Sequence, residues 1–107
     1  MDNFKERQKA FEQKFANDAE VLFKVTAGRN KLMAEWVSEL LGFDENVKNN
    51  YVVEVVESDL QEPGDDDIVS KIKADLEKYD QDITEKEIRV KIESFMGEAR
   101  DNFMNSL

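Results

Sequence analysis

The stretch from Phe4 to Leu41 limits the possible folds more than any other, because it is one run with helical periodicity whose chemistry changes halfway along. In its first half, three phenylalanines spaced by seven and four residues lie on one face of a helix, with lysines and an arginine among them. In its second half, a wider apolar stripe is typical of a helix that packs onto other helices. We therefore predict one long helix whose first half is an arm and whose second half is core. The residues concerned are Phe4, Phe11 and Phe15 in the arm and Leu22, Leu32, Met33, Trp36, Val37, Leu40 and Leu41 in the core half.

The end of this run and the start of the next helix carry clear signals. Gly42 stands where a helix commonly ends in the left-handed conformation, and Asp44 is placed to cap a second helix. The segment 51–56 is ambiguous, since consecutive β-branched residues favour a strand. A strand needs a partner, and the chain contains no second strand candidate. We therefore predict a helix there.

Two more helices complete the predicted fold. Residues 63–64, Pro-Gly, break the chain before the third helix, and Thr84 with Glu87 forms a capping box at the start of the fourth. Four helices joined by short loops, without strands, predict an all-α four-helix bundle with antiparallel neighbours. We divide the chain into an arm, residues 1–18, which is mobile or helical, and a four-helix bundle domain, residues 19–107.

Composition excludes several classes of function. The 107 residues contain no cysteine and no histidine, which removes thiol chemistry, disulfides and the commonest general base. There is no run of about 18 apolar residues that would span a membrane, and the N-terminus lacks a signal peptide's apolar segment. No nucleophile stands in a recognisable catalytic motif, so we expect no enzyme. We expect a cytoplasmic protein that is a monomer when free and does not insert into the membrane.

Charge is unevenly distributed along the chain. The net charge of −10 argues against nucleic acid as a partner, because phosphate binding needs dense lysine and arginine. Residues 1–31 hold seven basic and five acidic residues, whereas residues 32–107 hold eight and twenty. This asymmetry is either chance variation in a solvated surface or a mildly basic segment directed at an acidic or mixed-charge partner.

An acidic triplet and a short cationic segment raise the questions of metal and nucleotide binding. Residues 65–67, three aspartates, are interpreted as the acidic first turn of a helix, and no metal site is expected. Arg29, Lys31 and Trp36 lie within two turns of helix, where a ring beside cations offers a contact to a nucleotide. Since a Trp at such a position is more often core, weak binding of ADP or ATP there is the alternative hypothesis.

Several strings of the chain resemble the zeta subunit of the alphaproteobacterial F-type ATP synthase. The resemblance runs from Phe4 to about Ala99 and is specific in its combination of motifs. These motifs are FKERQKAFEQKFAND at residues 4–18, Phe23-Lys24, Arg29-Asn30-Lys31-Leu32, Trp36, Glu39-Leu40-Leu41-Gly42, and Val55-Val56 with Asp59.

The resemblance implies a non-catalytic inhibitor of the synthase's catalytic head, peripheral to the inner membrane through that complex. It implies that the N-terminal segment becomes helical in the cleft between catalytic-head subunits, near the central stalk, and blocks rotation in the direction of ATP hydrolysis. Phe11 and Phe15 would then be the apolar anchors. The resemblance also assigns to the inhibitory segment, as contacts to the partner, Phe4, Arg7, Lys9, Lys14 and Asp18.

The chain departs from the family pattern at Gly28, where relatives commonly carry a basic residue. Glycine inside a helix costs about 1 kcal/mol relative to alanine and loosens the backbone. Two interpretations remain open at this point: a hinge that lets the arm swing away from the bundle, or a tolerated substitution.

Overall fold

The chain folds into α-helices, with no strand in residues 4–15, 17–59 and 64–107, which are the residues that the computed structural model describes; the side chains of Phe4 and Arg7 are not among them. The all-α prediction is therefore confirmed for this part of the chain. Its described helices include none that is both long and apolar enough to cross a membrane. The helices are α1 (Phe4–Phe15), α2 (Ala19–Leu41), α3 (Glu45–Asp59), α4 (Asp66–Lys78) and α5 (Glu85–Asn105).

The single long helix predicted for the N-terminal run is wrong, because the run is divided into α1 and α2. Asp18 has extended backbone angles (φ −93°, ψ 100°), and its side chain accepts a hydrogen bond from the Val21 backbone N–H at 3.1 Å. This contact satisfies one of the unpaired N–H groups at the start of α2. Periodicity does not detect such a break, since both halves keep the spacing of a helix. The described residues therefore form five helices rather than four.

Helices α2 to α5 pack around a shared core, and α5 returns to lie beside α2. The contacts of α2 with α3, of α3 with α4 and of α2 with α5 run in opposite directions along the chain, so these three pairs are antiparallel. The contacts are Asn30 with Asp59 for α2 and α3, Tyr51 with Asp75 and Glu54 with Lys71 for α3 and α4, and Trp36 with Lys91 and Gly28 with Ala99 for α2 and α5. Between α4 and α5, Asp66 at the start of α4 contacts Arg89 near the start of α5.

The buried residues form two clusters. The main cluster lies among α2, α3, α4 and α5, and the second lies where α1 meets the first turns of α2 and the last turns of α5. Phe11, which we assigned to an arm outside the core, is only 2% exposed. Leu22, which we assigned to the core stripe, is 40% exposed, because α5 covers the adjacent face of α2 that carries Val21 and Val25. Both expectations are therefore corrected.

The predicted helix ends are confirmed. Gly42 ends α2 with φ 69°, in the left-handed region that favours glycine. The Asp44 carboxylate accepts from the Val47 N–H at 2.9 Å, and the Thr84 hydroxyl accepts from the Glu87 N–H at 3.1 Å. The ambiguous segment 51–56 lies within α3, where packing against α2 and α4 outweighs the strand preference of its valines.

Gly28 lies in the interior of α2. A Cβ atom added there would meet the Ala99 Cβ at 3.7 Å, an ordinary van der Waals distance. We therefore expect Gly28→Ala to raise the free energy of unfolding by about 0.5–1 kcal/mol, through the gain in helix propensity. Chemical denaturation measures this, with Ala27→Gly as the matched reverse change. A fall in stability, or a loss of partner binding at unchanged stability, would instead favour the hinge interpretation.

Candidate functional site

Helix α1 docks on the body through three phenylalanine rings. Phe11 and Phe15 both contact Phe103 of α5 edge to face, with ring centroids 6.3 and 5.2 Å apart. The two arm rings also lie against each other at 5.5 Å, and the Arg100 guanidinium carbon lies 5.8 Å from the centroid of the Phe11 ring. Edge-to-face pairs of this kind contribute about 0.5–1.5 kcal/mol each beyond the area that they bury. Phe11 and Phe15, the described rings of the arm's apolar face, therefore lie against the protein's own body.

The charged residues of α1 whose side chains are described are all exposed. Lys9 is exposed, and Lys14 is exposed with its Nζ 5.3 Å from the Phe15 ring centroid. Gln8 donates to Glu12 along the helix at 3.3 Å. The arm thus presents both lysines and glutamates to solvent, while the rings of Phe11 and Phe15 face inward. The side chains of Phe4 and Arg7, also predicted to contact a partner, lie outside the described residues.

Asp18 has a structural role in this conformation. Its carboxylate caps α2, and the Asp18 backbone N–H donates to the Phe15 carbonyl at 3.0 Å. Together these two bonds fix the turn that brings α1 back against α5. Its predicted contact with a partner stays a prediction, and that contact would compete with the cap.

Arg29, the main cation of the nucleotide hypothesis, is buried and donates to other side chains. It is 2% exposed, and its Nη1 donates to Asp65 at 2.8 Å, while its Nη2 donates to Asn30 at 2.8 Å and to Asp59 at 3.3 Å. Asn30 in turn donates to Asp59 at 2.8 Å. This Arg29 network ties α2 to the last residue of α3 and to the residue before α4. Sequence reasoning missed it, because Asp59 and Asp65 lie 30 and 36 residues after Arg29 along the chain.

The other two residues of the nucleotide hypothesis have different surroundings. Lys31 is exposed, whereas Trp36 is half-buried against the main cluster. The ammonium of Lys91 lies 5.5 Å from the Trp36 ring centroid and 5.6 Å from that of Phe95. The indole face is thus already paired with a cation. Nucleotide binding through these residues stays a prediction, and the internal contacts of Arg29 do not support it.

Two aspartates of the acidic triplet are engaged in ion pairs. Asp65, at the capping position of α4, makes no side-chain cap, because its carboxylate accepts from Arg29. Asp66 accepts from Arg89 of α5 at 2.9 Å. In the described part of the chain, no group of three or more acidic side chains is arranged to hold a metal ion.

The comparisons with known proteins identify the family. The family described as ATPase inhibitor subunit zeta matches residues 1–102. The chain belongs to this family. Its resemblance to the zeta subunit is thereby confirmed, and membership gives it an inhibitory, regulatory role rather than a catalytic one. Membership also implies association with the F-type ATP synthase.

A solved relative supports the fold of this zeta-family chain. A protein determined by solution NMR is 40% identical and superimposes with a TM-score of 0.69, covering 79% of this chain and 96% of the other. No curated protein matches the chain. At this identity the covered part of the chain is similar to that protein in both fold and sequence.

Proposed function

We propose that this protein inhibits ATP hydrolysis by inserting its arm, residues 1–18, into the cleft between subunits of the catalytic head near the central stalk, where it blocks rotation. The four helices α2 to α5 form the bundle that carries the arm, and the complex holds the protein at the inner membrane's surface. Phe11 and Phe15 act as apolar anchors. The remaining proposed contacts are Phe4, Arg7, Lys9, Lys14 and Asp18.

The observation that carries this proposal is that α1 is a separate helix whose described packing against the body lies in the second cluster, around Phe11, Phe15 and Phe103. An amphipathic helix with aromatic anchors and flanking cations fits a helix-in-groove mode of binding. The same two rings that lie on Phe103 would lie in the groove of the catalytic head. Inhibition therefore requires the arm to leave α5.

A protein–protein interface can supply the free energy needed to release the arm from α5. Burying a phenylalanine ring contributes about 1.5–3 kcal/mol, and each ring pair with Phe103 adds about 1 kcal/mol. A nanomolar complex supplies about 12 kcal/mol. The docked arm thus lowers the apparent affinity for the catalytic head without preventing binding.

Reversing a charge on the outer side of the arm tests the proposal. We expect Lys9→Glu to weaken inhibition of the matching catalytic head about tenfold, which corresponds to 1.4 kcal/mol, because a cation facing the partner becomes an anion. The measurement is the concentration of protein that halves the rate of ATP hydrolysis, at two salt concentrations. Lys86→Glu, an exposed position in the first turn of α5, makes the same charge change far from the arm. Equal losses in both variants would show an effect of net charge only, and would contradict the proposed arm contact.

A further inference from the structure

A second surface lies at the other end of the body from the arm. We call it the aromatic cleft: it is formed where α2 ends, α3 begins and α4 ends, and has a volume of about 200 Å³. Phe43, Tyr51 and Tyr79 form its aromatic part, with the Phe43 ring edge to face against both tyrosines at 5.7 and 5.6 Å. Since α2 rises by about 1.5 Å per residue, the cleft lies roughly 30 Å along that helix from Val21, beside which the arm docks.

The cleft leaves apolar side chains partly exposed to solvent. Val47 is 43% exposed and Tyr79 is 48% exposed, although both line the cleft beside the half-buried Phe43. Tyr51 is buried beneath them and donates to Asp75 at 2.8 Å. Burial and then this hydrogen bond raise the pKa of Tyr51, so its phenol stays protonated and continues to donate to Asp75. A cleft of this size takes one large apolar side chain.

Negative charge surrounds the cleft. Residues 42–54 and 71–87, which build this end of the body, contain nine carboxylates and five lysines or arginines. Lining the cleft itself are the carboxylates of Glu54 and Asp75 and the ammonium of Lys78. Both carboxylates also accept from Lys71, at 2.9 and 3.1 Å. Even when the ion pairs within the fold are taken into account, carboxylates outnumber lysines and arginines at this end of the body.

We propose that the aromatic cleft binds a basic segment of a partner protein, with one aromatic or branched aliphatic side chain of that segment lying against Val47 and Tyr79. The lysines or arginines of the segment face the surrounding carboxylates. Charge complementarity selects a cationic partner, and the apolar anchor fixes its position. Because the cleft and the arm are at opposite ends of the body, the protein can engage both partners at once. This interaction does not depend on the arm's inhibitory role.

Titration of isotopically labelled full-length protein with a defined peptide tests the cleft. The probe is a short capped lysine-rich peptide with one central phenylalanine; the two controls replace that phenylalanine by alanine or the lysines by glutamates. We expect the probe to shift the amide signals of Phe43, Val47 and Tyr79, but not those of Phe11 and Phe15. The alanine control should bind about tenfold more weakly, which is the effect of 1.4 kcal/mol, and the glutamate control should not bind. Higher salt should weaken the binding of the probe.

Two exposed valines on α3 provide the matched variants. Val47→Lys places a cation in the cleft and should reduce the affinity for the probe about tenfold or more. Val53→Lys makes the same change at a position that is 55% exposed and does not line the cleft, and should have a much smaller effect. The proposal is overturned if the probe leaves the cleft signals unchanged, if the alanine control binds equally well, or if both variants lose the same affinity. It is also overturned in favour of self-association if dilution without peptide shifts the same signals.

Discussion

A chain that begins at Asp18 is expected to lose inhibition of ATP hydrolysis while its body stays folded. Such a chain lacks α1 but keeps the Asp18 carboxylate that caps α2. The main cluster contains no α1 residue among its described members, so its packing is not directly affected. The measurements are the hydrolysis rate of the matching catalytic head with excess truncated protein, and the helix content and unfolding midpoint of that protein.

A full-length variant distinguishes loss of the arm from loss of its docking site. Phe103→Ala removes the α5 ring that contacts both Phe11 and Phe15 but leaves the arm intact. If the docked arm competes with inhibition, this variant should inhibit at least as strongly as the parent, although its body is less stable. Undiminished inhibition by the truncated chain would contradict the assignment of inhibition to the arm.

Replacing Arg29 by glutamine is expected to lower the free energy of unfolding by about 3–5 kcal/mol. The substitution removes the charge that pairs with Asp59 and Asp65, and the side chain of Asp59 is only 7% exposed. A buried carboxylate that loses its counter-ion retains the cost of its desolvation. Because small domains are stable by about 5–15 kcal/mol, this is a large part of the total. Chemical denaturation of the purified variant measures it.

Lys31→Gln is the matched control for this change. It removes the same charge two residues away, at an exposed position of the same helix, and should alter the stability by less than about 0.5 kcal/mol. A loss of less than about 1 kcal/mol for Arg29→Gln would show that the network contributes little. Nucleotide titration of both variants, followed through Trp36 fluorescence, also tests the alternative hypothesis of ADP or ATP binding. A response that depends on Lys31 alone would leave no role for Arg29.

The helices of the body could be predicted from the sequence because their signals are local. Gly42, Asp44 and Thr84 act on residues within one turn, and each makes the cap expected of it. The valines of α3 are a harder case. There, a helix was predicted because the sequence offers no other strand candidate. The intrinsic propensity of valine favours a strand.

The surroundings of the candidate site could not be predicted, because they depend on contacts between distant segments. Phe103 follows the apolar stripe of α5, but nothing in the sequence pairs it with Phe11, 92 positions earlier. Asp18 caps α2 within a run that has the periodicity of one uninterrupted helix. Arg29 was predicted to contact a nucleotide because it lies near Trp36 along the helix. In the fold, its guanidinium instead donates to Asp59.

The burial of Phe11 links the stability of the free protein to the inhibitory strength that we propose for it: one is expected to fall as the other rises. Under the proposed mechanism the Phe11 ring cannot lie on α5 and on the catalytic head at once, so the free energy with which α5 holds the arm is subtracted from the free energy of binding to the head. Strengthening the contact with α5 by 1.4 kcal/mol would then stabilise the free protein and weaken inhibition tenfold. Substitutions at Phe103 or Arg100 are therefore expected to change inhibitory strength without any change to the arm itself.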